Sequence, residues 1–200
     1  PNVTVTAHLG ANTKESQREI SVQAANNAIE SARGISYPNA LNLPIDESKI
    51  PHFVKPYIEL TQKMAFLLAQ LSKSEIRSIN ITAEGEISEY LDSLQTFATV
   101  GVLAVSCGDE VNYVNANFIA KEKGIDLTTS EFSNHSGYQN KVSINITTPT
   151  GVKTISGTVF NEDVQRIVEI NGFSLDIEPR GKMIVMRNND VPGVIGEVGK

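Results

Sequence analysis

Apolar residues recur at intervals of three and four along much of the first half of the chain. Residues 13–33 and 51–72 show this spacing most clearly, and residues 87–104 repeat it. Such spacing gathers the apolar side chains on one face of a helix. A shorter helix is predicted near 115–123, where Gly124 supplies the kind of residue that often closes a helix.

Alternating and β-rich stretches predict strands, mainly in the second half. In residues 79–83 apolar and polar positions alternate, which is the pattern of a half-buried strand. Asn171 and Gly172 separate two β-rich runs and favour a type I′ hairpin, because both central positions of that turn need positive φ. The predicted strands are 3–6, 79–83, 125–129, 142–148, 152–160, 164–170, 173–177 and 183–187. The simplest arrangement is an α+β fold, with helices packed on one face of a mostly antiparallel sheet.

The two ends suggest that the chain is a piece of a larger protein. It starts at Pro1 without an initiator Met, and it stops at Lys200 inside a helix that Pro192 is predicted to open. Residues 37–44 contain two prolines and no periodicity, which indicates a connector between domains. We therefore expect parts of three domains. They are the end of a first domain (1–43), a complete middle domain (44–180) and the start of a third (181–200).

The charge balance argues against two classes of partner. The 200 residues carry 17 Lys and Arg against 23 Asp and Glu, a net charge of −6, and the sequence pI is about 5.1. Sequence-independent binding to nucleic acid or to an anionic membrane surface requires the opposite sign. No run approaches the roughly 18 consecutive apolar residues of a membrane span, and no signal peptide opens the chain. We therefore expect a cytoplasmic protein with neither nucleic acid nor membrane as a partner.

Few residues have the chemistry of a catalytic or metal site. Cys107 is the single cysteine, so it forms no internal disulfide, and no group of His, Cys or carboxylate residues has zinc-ligand spacing. His52 and His135 fall at a predicted helix start and in a polar loop, where solvated histidines are common. His8 follows a predicted strand and precedes a turn into a helix, a place where α/β enzymes carry catalytic groups. From the spacing alone, a catalytic His8 and a solvated His8 remain equally open.

The second half contains one noticeable basic grouping, formed by Arg166, Arg180, Lys182 and Arg187. On an acidic chain a solvated cluster is the ordinary interpretation. The same cluster also has the charge that a small anionic effector needs. Arg166 and Arg180 are therefore candidate anion-binding residues.

The segment 6–17 carries a specific motif. It reads TAHLGANTKESQ and resembles the pattern T-P-H-L-G-A-S-T-x-E-A-Q of the D-isomer-specific 2-hydroxyacid dehydrogenases. The resemblance implies that His8 is the catalytic acid/base, which in that family pairs with a glutamate and works beside a substrate-binding arginine, both upstream. Ala7 stands where the family usually has proline, and the histidine keeps its place.

Later segments resemble the long type of phosphoglycerate dehydrogenases. Residues 114–116, 156–158 and 167–172 look like parts of the intervening domain of that family, and residues 190–196 look like the opening of an ACT domain, a small module that binds amino acids. The resemblance implies an NAD-dependent enzyme of L-serine biosynthesis that oxidises 3-phospho-D-glycerate to 3-phosphooxypyruvate. Such enzymes are commonly homotetramers inhibited by L-serine. On this interpretation the chain is a C-terminal regulatory and oligomerising fragment, inactive alone and without a cofactor of its own.

The ACT resemblance implies an effector site at Asn188 and Asp190. A helix N-terminus presents backbone N–H groups that suit a carboxylate, and the Asp190 carboxylate suits an ammonium group. An amino acid such as L-serine offers both groups. Asn188 stands where some members of the family have histidine.

The intervening-domain resemblance leaves two roles open. In some long-type members, basic residues around the hairpin bind an anion, and Arg166 matches one of those positions. Phe173, Ser174 and Glu178 stand at positions that are basic in such members. A structural and oligomerising domain is therefore an equal alternative to regulation by a bound substrate.

Two other functions fit parts of the pattern. L-serine dehydratases share a similar intervening domain followed by an ACT domain, and their iron–sulfur chemistry would need several cysteines outside these residues. A stand-alone effector-binding module is the third interpretation. The motif at 6–17 favours the dehydrogenase, and a G-x-G-x-x-G loop upstream of Pro1 would decide the matter.

Overall fold

A computed structural model of the chain describes residues 2–5, 7, 10–32, 50–131, 136–186, 188 and 191–199. The chain divides into two compact units, Pro1–Lys49 and Ile50–Lys200. The domain limits at 43/44 and at 180/181 stay predictions.

The described residues of the first unit include a long helix, α1 (Lys14–Ala32), where the sequence predicts a helix over 13–33. The Thr13 hydroxyl oxygen accepts a hydrogen bond from the Ser16 backbone N–H at 3.2 Å. This contact is an N-terminal cap, which satisfies one of the N–H groups that a helix start leaves without a partner. No residue of α1 is buried.

The second unit is built on a six-stranded sheet with the strand order β2-β1-β3-β4-β5-β6. The strands are β1 (Ser78–Glu84), β2 (Asp126–Glu131), β3 (Lys141–Thr148), β4 (Gly151–Phe160), β5 (Val164–Ile170) and β6 (Phe173–Ile177). β1 and β2 run parallel, and the other neighbours run antiparallel. The mostly antiparallel sheet that the sequence predicts is confirmed.

Two helices cover one face of the sheet. The helices of this unit are α2 (Val54–Ser72), α3 (Leu91–Cys107) after a 3₁₀ turn (Glu86–Tyr90), α4 (Ala116–Glu122) and α5 (Val194–Val198). α2 packs on β3, β4 and β5, while α3 packs beside it on β1 and β2. The pairs Ile79–Ile146 and Ile81–Ile144 lie opposite each other in β1 and β3, and all four side chains are fully buried. The predicted α+β class is therefore confirmed.

Two predicted strands are wrong. The described residues 3–5 of the strand predicted at 3–6 have no regular secondary structure, and neither do residues 183–186 of the strand predicted at 183–187. A β-rich segment becomes a strand only beside a partner that completes its hydrogen bonds. In the described part of the chain, the sheet ends with β2 on one edge and β6 on the other, so neither segment has found such a partner.

Within the described ranges, one helical stretch, Glu86–Glu110, is long and apolar enough to cross a membrane, with a mean hydropathy of 1.2 over an 18-residue window. Half of that window is buried inside the protein, and α3 contributes Leu94, Ala98 and Leu103 to the core. Core helices of globular domains meet the same criterion, so the stretch is weak evidence for a membrane span.

The turn between β5 and β6 has the geometry that its sequence demands. Asn171 and Gly172 have φ values of 49° and 82°, as the predicted type I′ turn requires. Asn171 also binds the neighbouring strand twice. Its Oδ1 accepts a hydrogen bond from the Thr154 N–H at 2.9 Å, and its own N–H donates to the Thr154 carbonyl at 2.9 Å.

The substitution Asn171→Ala is expected to lower the free energy of unfolding by about 1–2 kcal/mol, because the Thr154 N–H loses its acceptor and alanine tolerates positive φ poorly. Urea denaturation of the 200-residue chain, followed by circular dichroism, measures this. Asn171→Asp is the matched control, since it keeps an acceptor oxygen and tolerates positive φ, and it should lose clearly less stability. Equal losses in the two variants would contradict the role given to the side-chain oxygen.

Candidate functional site

The face of the sheet opposite the helices is polar. Strand alternation buries Ile79 and Ile81 in the core and leaves Asn80 half-buried on the other face. The Asn80 amide joins three strands, because Asn145 Nδ2 donates to its Oδ1 at 3.2 Å and its own Nδ2 donates to the Thr128 hydroxyl at 2.9 Å. We call this surface the polar face of the sheet.

Ionised side chains gather toward one end of the polar face. Lys141 of β3 stands opposite Glu84 of β1, and its Nζ lies 3.8 Å from Glu169 Oε2 of β5. Glu84 is buried, and its Oε2 accepts hydrogen bonds from the Ser136 N–H at 3.0 Å and from the Ser136 hydroxyl at 2.7 Å. The protein therefore supplies partners of its own to the charges at this end of the sheet, as burial of ionised groups requires.

The structure brings both predicted anion-binding residues onto one carboxylate. Arg166 Nε lies 3.1 Å from Asp176 Oδ1, and its Nη1 lies 3.3 Å from Glu178 Oε2. Arg180 Nε lies 3.3 Å from the same Glu178 oxygen. The Arg166 side chain is 27% exposed, against 79% for Arg180. An anion at Arg166 would have to compete with two carboxylates of the protein, and anion binding there stays a prediction.

A groove of about 630 Å³ opens at the N-terminal end of α2. The hydroxyl group of Tyr57 organises one wall of it. That group accepts a hydrogen bond from the Val159 N–H at 3.1 Å and lies 3.2 Å from the Asn140 carbonyl oxygen and 3.3 Å from the Thr158 hydroxyl. Asn140 Oδ1 in turn accepts a hydrogen bond from the Ile87 N–H at 3.0 Å. These contacts fix the start of α2 against the 3₁₀ turn and the ends of β3 and β4.

The rim of this groove is aromatic and acidic. It is lined by Phe53, Tyr138 and Phe160 together with Glu86 and Glu162. No Lys, Arg or His lines it among the described residues. Such a lining suits an uncharged or cationic group rather than an anion.

The sequence patterns missed the network around Tyr57. In the sequence, Tyr57 counts only as an apolar position of a predicted helix, and Asn140 lies outside every predicted element. Their hydroxyl and carbonyl groups meet across 83 residues of chain. No local signal connects positions so far apart, so the network could be found only from the fold.

Two of the remaining predicted site residues, His8 and Asp190, lie outside the described residues. Asn188 is described, and it is exposed and outside regular secondary structure. α5 follows at Val194, directly after the turn at Pro192 and Gly193. The effector site at Asn188 and Asp190 stays a prediction. Within the described ranges, no group of three or more His, Cys, Asp or Glu residues could hold a metal ion.

Comparisons with known proteins agree on one family. Residues 53–171 match the model of the family described as the D-3-phosphoglycerate dehydrogenase intervening domain. Over 201 residues the chain is 35% identical to the D-3-phosphoglycerate dehydrogenase of Bacillus subtilis, which covers 100% of this chain. It is 28% identical to the enzymes of the same name from Synechocystis sp. and Archaeoglobus fulgidus, each covering 99% of it.

The matched region contains the groove and most of the polar face. It runs from the turn before α2 to the turn after β5. The chain spans only 36–38% of the length of these three relatives. Because the family model matches residues 53–171 of a chain of 200, which is more than half, the chain belongs to the D-3-phosphoglycerate dehydrogenase intervening-domain family.

Proposed function

We propose that this chain is the regulatory and oligomerising segment of a D-3-phosphoglycerate dehydrogenase. The whole enzyme would oxidise 3-phospho-D-glycerate to 3-phosphooxypyruvate with NAD, a step of L-serine biosynthesis. The observation that carries the proposal is the similarity along the whole chain to relatives named D-3-phosphoglycerate dehydrogenase. The motif at 6–17 supports the same assignment, because it belongs to the dehydrogenases rather than to the L-serine dehydratases.

The described residues of the second unit support a scaffold rather than a catalytic centre. Their ionised groups on the polar face are paired within the protein, as in Lys141 with Glu169 and Arg166 with Asp176. A catalytic acid or base has to exchange a proton with substrate, and a charge already held by an internal partner is poorly suited to that. In this proposal the acid/base chemistry belongs to His8, together with groups elsewhere in the enzyme.

The cofactor is assigned to another part of the enzyme. The 14 glycines of the chain form no G-x-G-x-x-G fingerprint, and the spacing of Gly193, Gly196 and Gly199 is three throughout. In the proposal, NAD is therefore held by another part of the enzyme. When bound to the whole enzyme, NAD would supply the hydride acceptor.

Regulation and assembly complete the proposal. The whole enzyme would be a cytoplasmic homotetramer, and L-serine would bind near Asn188 and Asp190, where the ACT domain is proposed to begin. Ligand binding at such a site lowers activity only if the ligand prefers a less active conformation of the assembly. The intervening domain would then carry that preference from the effector site to the rest of the enzyme.

The test is an assay of the full-length protein that contains these residues. Purified protein supplied with 3-phospho-D-glycerate and NAD is expected to form NADH, and the addition of L-serine is expected to lower the rate. L-serine alone, without NAD, should yield no pyruvate. Pyruvate formed from L-serine would contradict the proposal in favour of a dehydratase. A protein that binds L-serine but forms neither product would contradict it in favour of an effector-binding module.

A further inference from the structure

A second cleft lies further along α2 than the groove at its N-terminal end. It has a volume of about 400 Å³ and separates α2 from residues 179–183, the segment that follows β6. We propose that this cleft binds a small ligand that joins a carboxylate to an apolar body. Neither the family match nor the proposed dehydrogenase reaction assigns any function to it.

Cationic side chains from two distant parts of the chain meet at this cleft. They are Lys63 from α2, and Arg180 and Lys182 from the segment after β6. Among the described residues, no carboxylate lines this cleft. On a chain with a net charge of −6, a cleft lined by one sign of charge stands out from the average surface and attracts ions of the opposite sign.

The three cationic side chains differ in how many hydrogen bonds and ion pairs they already form within the protein. Lys63 Nζ donates to Gln165 Oε1 at 2.8 Å and lies 3.9 Å from Glu59 Oε2. Arg180 Nε lies 3.3 Å from Glu178 Oε2. Lys182 forms no ion pair with any carboxylate in the part of the chain that the structure describes. Its ammonium group therefore has its full charge available for a ligand, and the donors of the other two are only partly used.

The floor of the cleft is apolar and partly exposed. Phe66 and Leu67 of α2 line it together with Met183, and Phe66 and Met183 are 39% and 38% exposed. Lys63, Phe66 and Leu67 occupy one stripe of the helix, because they are three and four residues apart. A concave site with an apolar floor and a few polar groups at its edge is the usual form of a small-molecule site.

The cationic edge and the apolar floor of the cleft together determine which ligand it binds. A carboxylate can meet the cationic edge, while an apolar body of a few carbons covers Phe66 and Met183. Inorganic phosphate or acetate would contact only the cationic side chains, and an alkyl ammonium ion would contact only the apolar floor. L-serine has no apolar body, so this cleft is independent of the effector site proposed at Asn188 and Asp190.

The test is a titration of the 200-residue chain with hexanoate, followed by heteronuclear NMR of the backbone amides. Hexanoate is expected to shift the resonances of residues 63–70 and 179–183 in a saturable way. Acetate has no alkyl chain to cover the apolar floor, so it should bind about ten-fold more weakly than hexanoate. This ratio corresponds to the loss of about two buried methylene groups. Hexylammonium, which has the same body and the opposite charge, should not saturate these resonances.

Variants of two lysines separate this site from general surface binding. Lys182→Gln is expected to weaken hexanoate binding about two- to five-fold, the effect of losing one exposed ion pair. Lys123→Gln removes the same charge from another exposed position of the second unit and should leave binding unchanged. Equal binding by the two variants, or hexanoate and hexylammonium binding alike, would overturn the proposal. Because none of these measurements depends on turnover, either result leaves the proposed dehydrogenase function untouched.

Discussion

The substitution Gly101→Ala is expected to lower the free energy of unfolding by about 1–3 kcal/mol, as overpacking of a buried contact does. Gly101 lies in α3 where that helix crosses α2, and it is buried. A Cβ atom built there would lie 2.4 Å from the Gln62 carbonyl oxygen and 2.9 Å from Ala65 Cβ. The nearer contact is with backbone, so no side-chain rotation relieves it, and the two helices would have to move apart.

The direction of the change in unfolding free energy distinguishes a close helix crossing from an open helix. In an open helix, replacing glycine by alanine raises stability by about 1 kcal/mol, because alanine loses less backbone entropy on folding. Gly196 of α5 is the matched control, since a Cβ atom there meets no atom within 4 Å. Urea denaturation of the 200-residue chain should show a lower midpoint for Gly101→Ala and an unchanged or slightly higher one for Gly196→Ala. A Gly101→Ala midpoint at or above that of the parent would contradict the close crossing of α2 and α3.

The elements that the sequence predicts well are those whose signal is local. α2 spans Val54–Ser72 against a predicted 51–72, because its apolar stripe is continuous from one end to the other. The turn after β5 forms as expected because Asn171 and Gly172 alone carry its requirement for positive φ. Gly124, with a φ of 69°, follows α4 for a similar reason. In each case a few neighbouring residues contain all the information that the element needs.

The ion pairs of the polar face depend instead on strand register. In the pairing of β5 with β6, Ile167 lies opposite Ile177, and the register is irregular between Ile167 and Glu169. This register brings Arg166, the neighbour of Ile167, within reach of Glu178, the neighbour of Ile177. Periodicity says which face of a strand a side chain occupies, but it does not say which residue of the neighbouring strand lies opposite. The sequence therefore predicts a basic grouping, and only the fold reveals that its first member is held by carboxylates of the same sheet.

In the full-length enzyme, the substitution His8→Gln is expected to lower kcat for 3-phospho-D-glycerate about 10²- to 10⁴-fold, the usual contribution of a general acid/base. In the proposed function, His8 would accept the hydroxyl proton of the 2-hydroxy acid. Glutamine can form hydrogen bonds with the substrate but cannot take up and release a proton near neutral pH. Substrate binding would rest on other groups, so KM should change much less than kcat. Steady-state rates of NADH formation measure both parameters.

His52→Gln is the matched control, because it removes the same imidazole from an exposed position just before α2. It should leave kcat at the parental value. Both variants should keep the circular dichroism spectrum and the unfolding midpoint of the parent, which separates the loss of a proton acceptor from the loss of the fold. If His8→Gln turned over as fast as His52→Gln, His8 would have no part in the chemistry. The motif at 6–17 would then mark a shared fold only, and the contribution of this chain to the enzyme would be confined to regulation and assembly.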